Sequence, residues 1–80
     1  MQIEVRLLTG LKRYLPAPEA TGTVRPLEIA EPATVKDVLK KLGIPLHMPK
    51  VIMINDRQGA LDSEVALGDR ITVFPPVGGG

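Results

Sequence analysis

Apolar and polar residues alternate at the start of the chain, where Ile3, Val5 and Leu7 take turns with Gln2, Glu4 and Arg6. A period of two predicts a strand over Gln2–Leu7 with one buried face. Thr9–Leu15 carries a looser pattern that reads as a helical turn. Pro16 and Pro18 stop it, and Ala17–Thr23 reads as a turn or irregular loop. Val24–Ile29 has strand character, but Pro26 cannot donate to a ladder, which places this strand at a sheet edge.

The period changes at Thr34. Val35, Val38, Leu39 and Leu42 fall at i, i+3, i+4 and i+7 and form one apolar stripe on a helix. Thr34 occupies the N-cap, and Asp37, three residues on, makes an acidic capping box with it. Lys40 and Lys41 suit the last turn, Gly43 the C′ position, and Pro45 blocks continuation. Beyond the His47-Met48-Pro49 loop, Val51–Ile54 is a continuous apolar run of strand length. Asn55-Asp56 and Gln58-Gly59 read as turns, and Ala60-Leu61 as a candidate short strand. Leu67-Gly68-Asp69 is a further turn, and Arg70–Phe74 a last strand ended by Pro75-Pro76. Two strands, one helix and then the remaining strands predict an α+β domain. Its mixed sheet of four or five strands packs one face on the single main helix.

Eighty residues make one domain, and a chain this short buries only roughly 60–65% of the surface its unfolded form exposes. The absence of cysteine excludes disulfide staples and thiolate metal sites. Ten basic against nine acidic residues leave a net charge of +1, with no electrostatic footprint for nucleic acid or an anionic membrane. One Phe, one Tyr and no Trp offer few platforms for base stacking. No apolar run approaches the ~18–20 residues that span a bilayer, and the start lacks the apolar stretch of a signal peptide. A cytoplasmic protein is the expectation. His47 stands alone in a proline-flanked loop, and Lys36, Lys40 and Lys41 read as a solvated helix face. No Ser-His-Asp order, metal-ligand spacing or phosphate-binding glycine loop is present, so no metal site and no independent catalytic site is predicted.

The end of the chain carries the chemistry. Phe74-Pro75-Pro76-Val77 runs into Gly78-Gly79-Gly80. The prolines favour an extended conformation, so the chain leaves the sheet in a set direction. The six residues from Pro75 reach about 20 Å when extended. Glycines without Cβ pass through a channel too narrow for other residues. A glycine triplet on an arbitrary chain is commonly a floppy end, but here a rigid Pro-Pro-Val precedes it. The useful group at such a tip is the α-carboxylate of Gly80. Activation by ATP turns it into an acyl-adenylate; a sulfur nucleophile then yields a thiocarboxylate, and an amine an amide. Neither outcome requires a catalytic side chain in this protein.

The ending Phe74-Pro75-Pro76-Val77 with Gly79-Gly80 resembles the MoaD/ThiS family of sulfur carriers, and the molybdopterin-synthase small subunit more than the thiamine carrier. Weaker matches are Val5-Arg6-Leu7-Leu8, Thr34-Val35-Lys36-Asp37-Val38-Leu39, Ile52-Met53-Ile54-Asn55 and Leu67-Gly68-Asp69-Arg70-Ile71. Gly78 departs from the serine or alanine common in the molybdopterin carriers. The segment from Leu15 to Pro26 and the loop Pro45–Pro49 match no subfamily. The resemblance implies a ubiquitin-like β-grasp fold over residues 1–77 with a flexible glycine tail, 78–80. It implies a Gly80 that is adenylated and thiocarboxylated, with sulfur passing to molybdopterin or tungstopterin. The implied partners are an adenylating enzyme of the ubiquitin-activating type, which uses the ATP, and a sulfur-acceptor synthase subunit. The chain itself would bind no cofactor and be a carrier, not an enzyme.

If Ile71 and Val73 point into the core, Phe74 points to the opposite face at the base of the tail, unless the core partly covers it. Val51–Ile54 is apolar throughout, so Val51 and Met53 are expected beside Phe74 on an exposed sheet face. With Pro75, Pro76 and Val77 they form the predicted docking surface for both partners. Three other readings stand beside this one. They are a thiamine thiazole sulfur carrier, a modifier conjugated to lysines through Gly80, and a non-covalent β-grasp module whose tail is dispensable.

Overall fold

The computed structural model describes residues 1–48 and 50–76. Over these residues the order is β1 (Gln2–Leu7), a 3-10 helix (Thr9–Tyr14), β2 (Val24–Glu28), β3 (Ala33–Thr34) and α1 (Val35–Leu42). It continues through β4 (Val51–Ile54), β5 (Arg57–Gln58), β6 (Glu64–Val65) and β7 (Arg70–Phe74). Five strands form one sheet in the order β2-β1-β7-β4-β5, and β3 pairs with β6 apart from it. β1 and β7 run parallel at the centre, and the flanking strands are antiparallel. The mixed α+β sheet with one main helix is as predicted. The boundary expected after residue 77 and the glycine tail lie outside the described residues.

Alternation builds the core. Ile3, Val5 and Leu7 of β1 and Ile71 and Val73 of β7 are at most 1% exposed, and Val35, Val38 and Leu39 of α1 are fully buried. Ile52, Leu27 and Ile44 complete the layer between helix and sheet. Pro26 sits on edge strand β2 as expected. The bonds from Leu7 N–H to Thr23 C=O and from Ile29 N–H to Met1 C=O set the parity of the ladder. Odd-numbered residues of β2 therefore exchange bonds with β1, and the ring nitrogen of Pro26 faces the free edge.

α1 is closed at both ends by the predicted residues. Thr34 N–H donates to Asp37 Oδ2 at 2.9 Å, completing the capping box. This bond holds the Asp37 carboxyl below the usual carboxylate range. Gly43 takes a left-handed conformation, φ 83°, so its N–H meets the Lys40 carbonyl at 3.1 Å and the Ile44 N–H meets the Leu39 carbonyl at 3.0 Å.

Three expectations need correction. Ala60-Leu61 is not a strand: the Leu61 and Ser63 carbonyls accept the Lys36 and Val35 N–H groups at 2.8 and 3.0 Å, serving the orphan amides of the first helical turn. Gln58 belongs to β5, opposite Met53, and Gly59, just past β5, still donates its N–H to the Ile52 carbonyl of β4 at 2.8 Å. A Cβ at Gly59 would lie 2.8 Å from Ile54 Cδ1, which explains the glycine there. Finally, a third strand, β3, precedes the helix; its partner β6 lies 32 residues on at Ala33↔Val65 and 30 at Thr34↔Glu64, a pairing no local pattern announces.

The loop between the 3-10 helix and β2 is ordered by one side chain. The Arg25 guanidinium donates to six carbonyls: Pro16 at 3.0 Å, Ala17 at 3.2 Å, Ala20 at 3.1 Å, Val24 at 3.0 Å, and Thr21 and Gly22 at 3.4 Å.

Two substitutions test the helix ends. Gly43→Ala forces a Cβ into left-handed backbone, at a cost of about 1–2 kcal/mol. A Cβ there meets nothing within 4 Å, so the cost is conformational. Thermal unfolding should drop by several degrees, while Gly10→Ala, equally unobstructed and without positive φ, should not lower it. Because the native Asp37 pKa is depressed, its contribution is fully present above the unfolded value of ~3.9 and is lost as pH falls through the native value. Asp37→Asn should therefore lower Tm at pH 7, and the two melting curves should converge toward pH 2.

Candidate functional site

The face of the sheet opposite α1 is open, and the register sets out its side chains in rows. One row runs Val24, Arg6, Thr72, Met53, Gln58. Toward the tail comes the pair Phe74 and Val51; away from it come Pro26, Glu4 and Arg70, then Glu28 and Gln2. Val51, Met53 and Phe74 are all half-buried. Phe74 thus points away from the core strands' buried side, as expected, and has Val51 as its direct cross-strand neighbour. Pro75 is half-buried and Pro76 exposed where the chain leaves β7. Val77, Gly78, Gly79 and Gly80 lie outside the described residues.

Thr72 is the exception to the face's exposure, at 7%, because it lies between Arg6 and Met53 on adjacent central strands. No motif in the sequence marks Thr72, Arg6, Glu4 or Arg70 as site residues. Alternation places each on a face, but only the pairing of β1 with β7 brings them side by side. Glu4 Oε1 accepts from Arg70 Nε at 3.0 Å, and the Met1 ammonium donates to Glu28 Oε2 at 2.7 Å. At the turn end, Asn55 stands in left-handed backbone, φ 56°. Its side chain bridges Asp69 Oδ1 and the Arg70 N–H at 3.1 and 3.0 Å, fixing the entry to β7. At the tail end, Lys50 precedes Val51 and turns back to its own loop, donating to the Leu46 carbonyl at 2.8 Å and to that of Met48. Burial pushes its ammonium pKa down.

His47 is exposed, and among the described residues no three His, Asp or Glu side chains gather as metal ligands. Among those residues no helix is long and apolar enough to cross a membrane. The arrangement offers a contact face that adjoins the root of the C-terminal segment.

A mixed sheet whose first and last strands lie parallel at its centre, crossed by one helix, defines a ubiquitin-like β-grasp protein. The family profile described as Mut7-C ubiquitin matches residues 1–78, and the chain belongs to that family. The chain is similar to the crystal structure of SAMP1 from Haloferax volcanii, with 24% identity, complete coverage of both chains and a TM-score of 0.74. It is also similar to a crystal structure of H. volcanii small archaeal modifier protein 1, with 23% identity over 95% of this chain and 98% of that one and a TM-score of 0.74. A candidate molybdopterin converting factor, subunit 1, from Pyrococcus furiosus matches with 21% identity over 95% of this chain and 98% of that one, TM-score 0.72. At these identities the three speak for the fold, and they agree with the resemblance to the MoaD/ThiS type of ubiquitin-like protein. No curated protein sequence matches the chain.

The two faces should separate in mutagenesis. Ile71→Ala, on the buried side, should cost about 2–5 kcal/mol. Met53→Ser, on the half-buried open side, should cost less than about 1 kcal/mol by denaturant unfolding.

Proposed function

We propose that this chain is a sulfur carrier. The carboxylate of Gly80 attacks the α-phosphorus of ATP within an adenylating enzyme of the ubiquitin-activating type, and pyrophosphate leaves. A hydrosulfide-level nucleophile then attacks the acyl carbon; the C–S bond forms, the bond to AMP breaks, and a thiocarboxylate remains. The sulfur goes to a molybdopterin or tungstopterin precursor held by an acceptor synthase subunit. The carrier supplies the reacting terminus and the docking face, and its partners supply the catalytic groups and the nucleotide.

The observation that carries this reading is the course of β7. It is a central strand, paired on both sides, and it delivers Phe74, Pro75 and Pro76 to the edge of the open face directly before Val77-Gly78-Gly79-Gly80. In this reading Phe74, Val51 and Met53, with Pro75, Pro76 and Val77, bear against the partner while the three glycines enter its active site. A second reading is favoured by the likeness to a small archaeal modifier protein: the same activated carboxylate joined to lysine amines.

Intact mass spectrometry separates the two. The native protein must first show a mass ending at Gly80. Incubation with the adenylating enzyme, ATP and sulfide should then add the mass of one sulfur less one oxygen, and a variant lacking Gly80 should gain nothing. Conjugates on lysines with no thiocarboxylate would favour the modifier. Neither product, with an enzyme active on another carrier, would refute both.

A further inference from the structure

Charge is distributed unevenly along the strands. The end of the sheet from which β7 departs is built by residues 8–25 and 43–51, which hold Lys12, Arg13, Arg25 and Lys50 against the single carboxylate of Glu19. The rest of the chain holds six Lys and Arg against eight Asp and Glu. Both ion pairs among the described residues, Arg70 with Glu4 and the Met1 ammonium with Glu28, lie outside those two segments. The donors at the departing end go to uncharged acceptors. Arg25 is held by the loop carbonyls and Lys50 by those of Leu46 and Met48. Arg13 donates to the Tyr14 hydroxyl at 3.2 Å and lies over its ring, 5.0 Å from the centroid. Such contacts hold a cation in place and leave its charge uncancelled.

The 3-10 helix that bears Lys12 and Arg13 packs against β1 and β7, and Lys50 leads into β4. The cations therefore flank the root of the C-terminal segment from both sides of β7. An apolar row lies between them. Leu8, in extended backbone, continues the parallel ladder one step past β1, its N–H donating to the Val73 carbonyl at 3.2 Å. That sets it level with Phe74 and Val51, and all three are half-buried.

Four residues follow Pro76, and even fully extended they span about 14 Å. A protein that encloses the Gly80 carboxylate in its active site must bring the mouth of that site down onto the root, over the apolar row and between the flanking cations. We propose that Lys12, Arg13 and Lys50 form a recognition surface for the proteins that receive Gly80, and that the mouth each of them presents is apolar at its centre and acidic at its rim. This rests on the sulfur-carrier reading, which supplies the receiving proteins. The constraint is the length of the segment, so it holds equally for the adenylating enzyme and for the acceptor subunit. Charges at the rim of a contact act mainly on the encounter, raising the association rate in a way that salt suppresses.

The test is stopped-flow association of the chain with the adenylating enzyme and, separately, with the acceptor subunit, at ionic strengths from about 0.05 to 0.5 M. Lys12→Gln/Arg13→Gln removes two charges beside the root. Lys36→Gln/Lys40→Gln removes two from the exposed side of α1, across the sheet from the open face. Circular dichroism melts confirm that each variant is folded. At the lowest salt the first pair should slow association with both proteins by roughly 3- to 10-fold, and the difference should vanish at the highest. The second pair should stay within about 2-fold of wild type. Lys12→Arg/Arg13→Lys, which keeps both charges, should recover the rate. Equal slowing by the two glutamine pairs would make net charge the cause and overturn the assignment. Slowing that persists at high salt, slowing with one of the two proteins alone, or none at all would overturn it likewise. Each of these leaves the carrier reading intact if the wild type still gains sulfur by mass. A wild type that associates with neither protein and gains no sulfur would remove the carrier reading and this inference together.

Discussion

Glu4 pairs with Arg70 and Leu7 with Val73 across a parallel ladder that brings the first and last strands of the sheet together at its centre. The Glu4 N–H to the Asp69 carbonyl at 2.9 Å and the Leu8 N–H to the Val73 carbonyl at 3.2 Å extend that ladder past both ends. A parallel pair cannot be closed by a hairpin; it needs a long crossover, and here everything from Thr9 to Asp69 serves as one. The closure entropy grows only slowly with loop length, whereas the ladder buries Val5, Leu7, Ile71 and Val73 almost completely. The root of the C-terminal segment is thereby tied to the least exposed strands of the molecule.

The same pairing divides labour between the faces. On one side, β1 and β7 give their branched aliphatic residues to α1. On the other, they align Arg6 with Thr72 and Glu4 with Arg70. Half-exposed apolar residues are contributed by β4 and β7 at the end where the chain departs. A small domain can ill spare core positions, and alternation lets every second residue of a central strand stay available for contact without weakening the layer beneath it.

Most of this was legible where the residues act locally. β1, β4 and β7 have the boundaries that alternation and apolar runs predict, and Thr34, Asp37, Gly43 and Pro26 do what their chemistry demands. The expected face for Phe74, Val51 and Met53 followed from counting alternate residues. What local reasoning could not supply are elements that exist only through a distant partner. Ala33–Thr34 and Glu64–Val65 are strands because they meet each other, and Arg57–Gln58, two exposed polar residues, because β4 is beside them. The neighbours of Arg6 depend on the β1–β7 register, and the shape of Pro16–Thr23 on a side chain outside it.

That last dependence has an evolutionary side. Arg25 holds the loop through main-chain carbonyls, which every residue type possesses, and its ring of acceptors asks nothing of the side chains at Pro16, Ala17, Ala20 or Thr21. The loop can drift in sequence while its path is preserved. Variation among relatives should then be broad across this stretch and narrow at the single arginine that follows it.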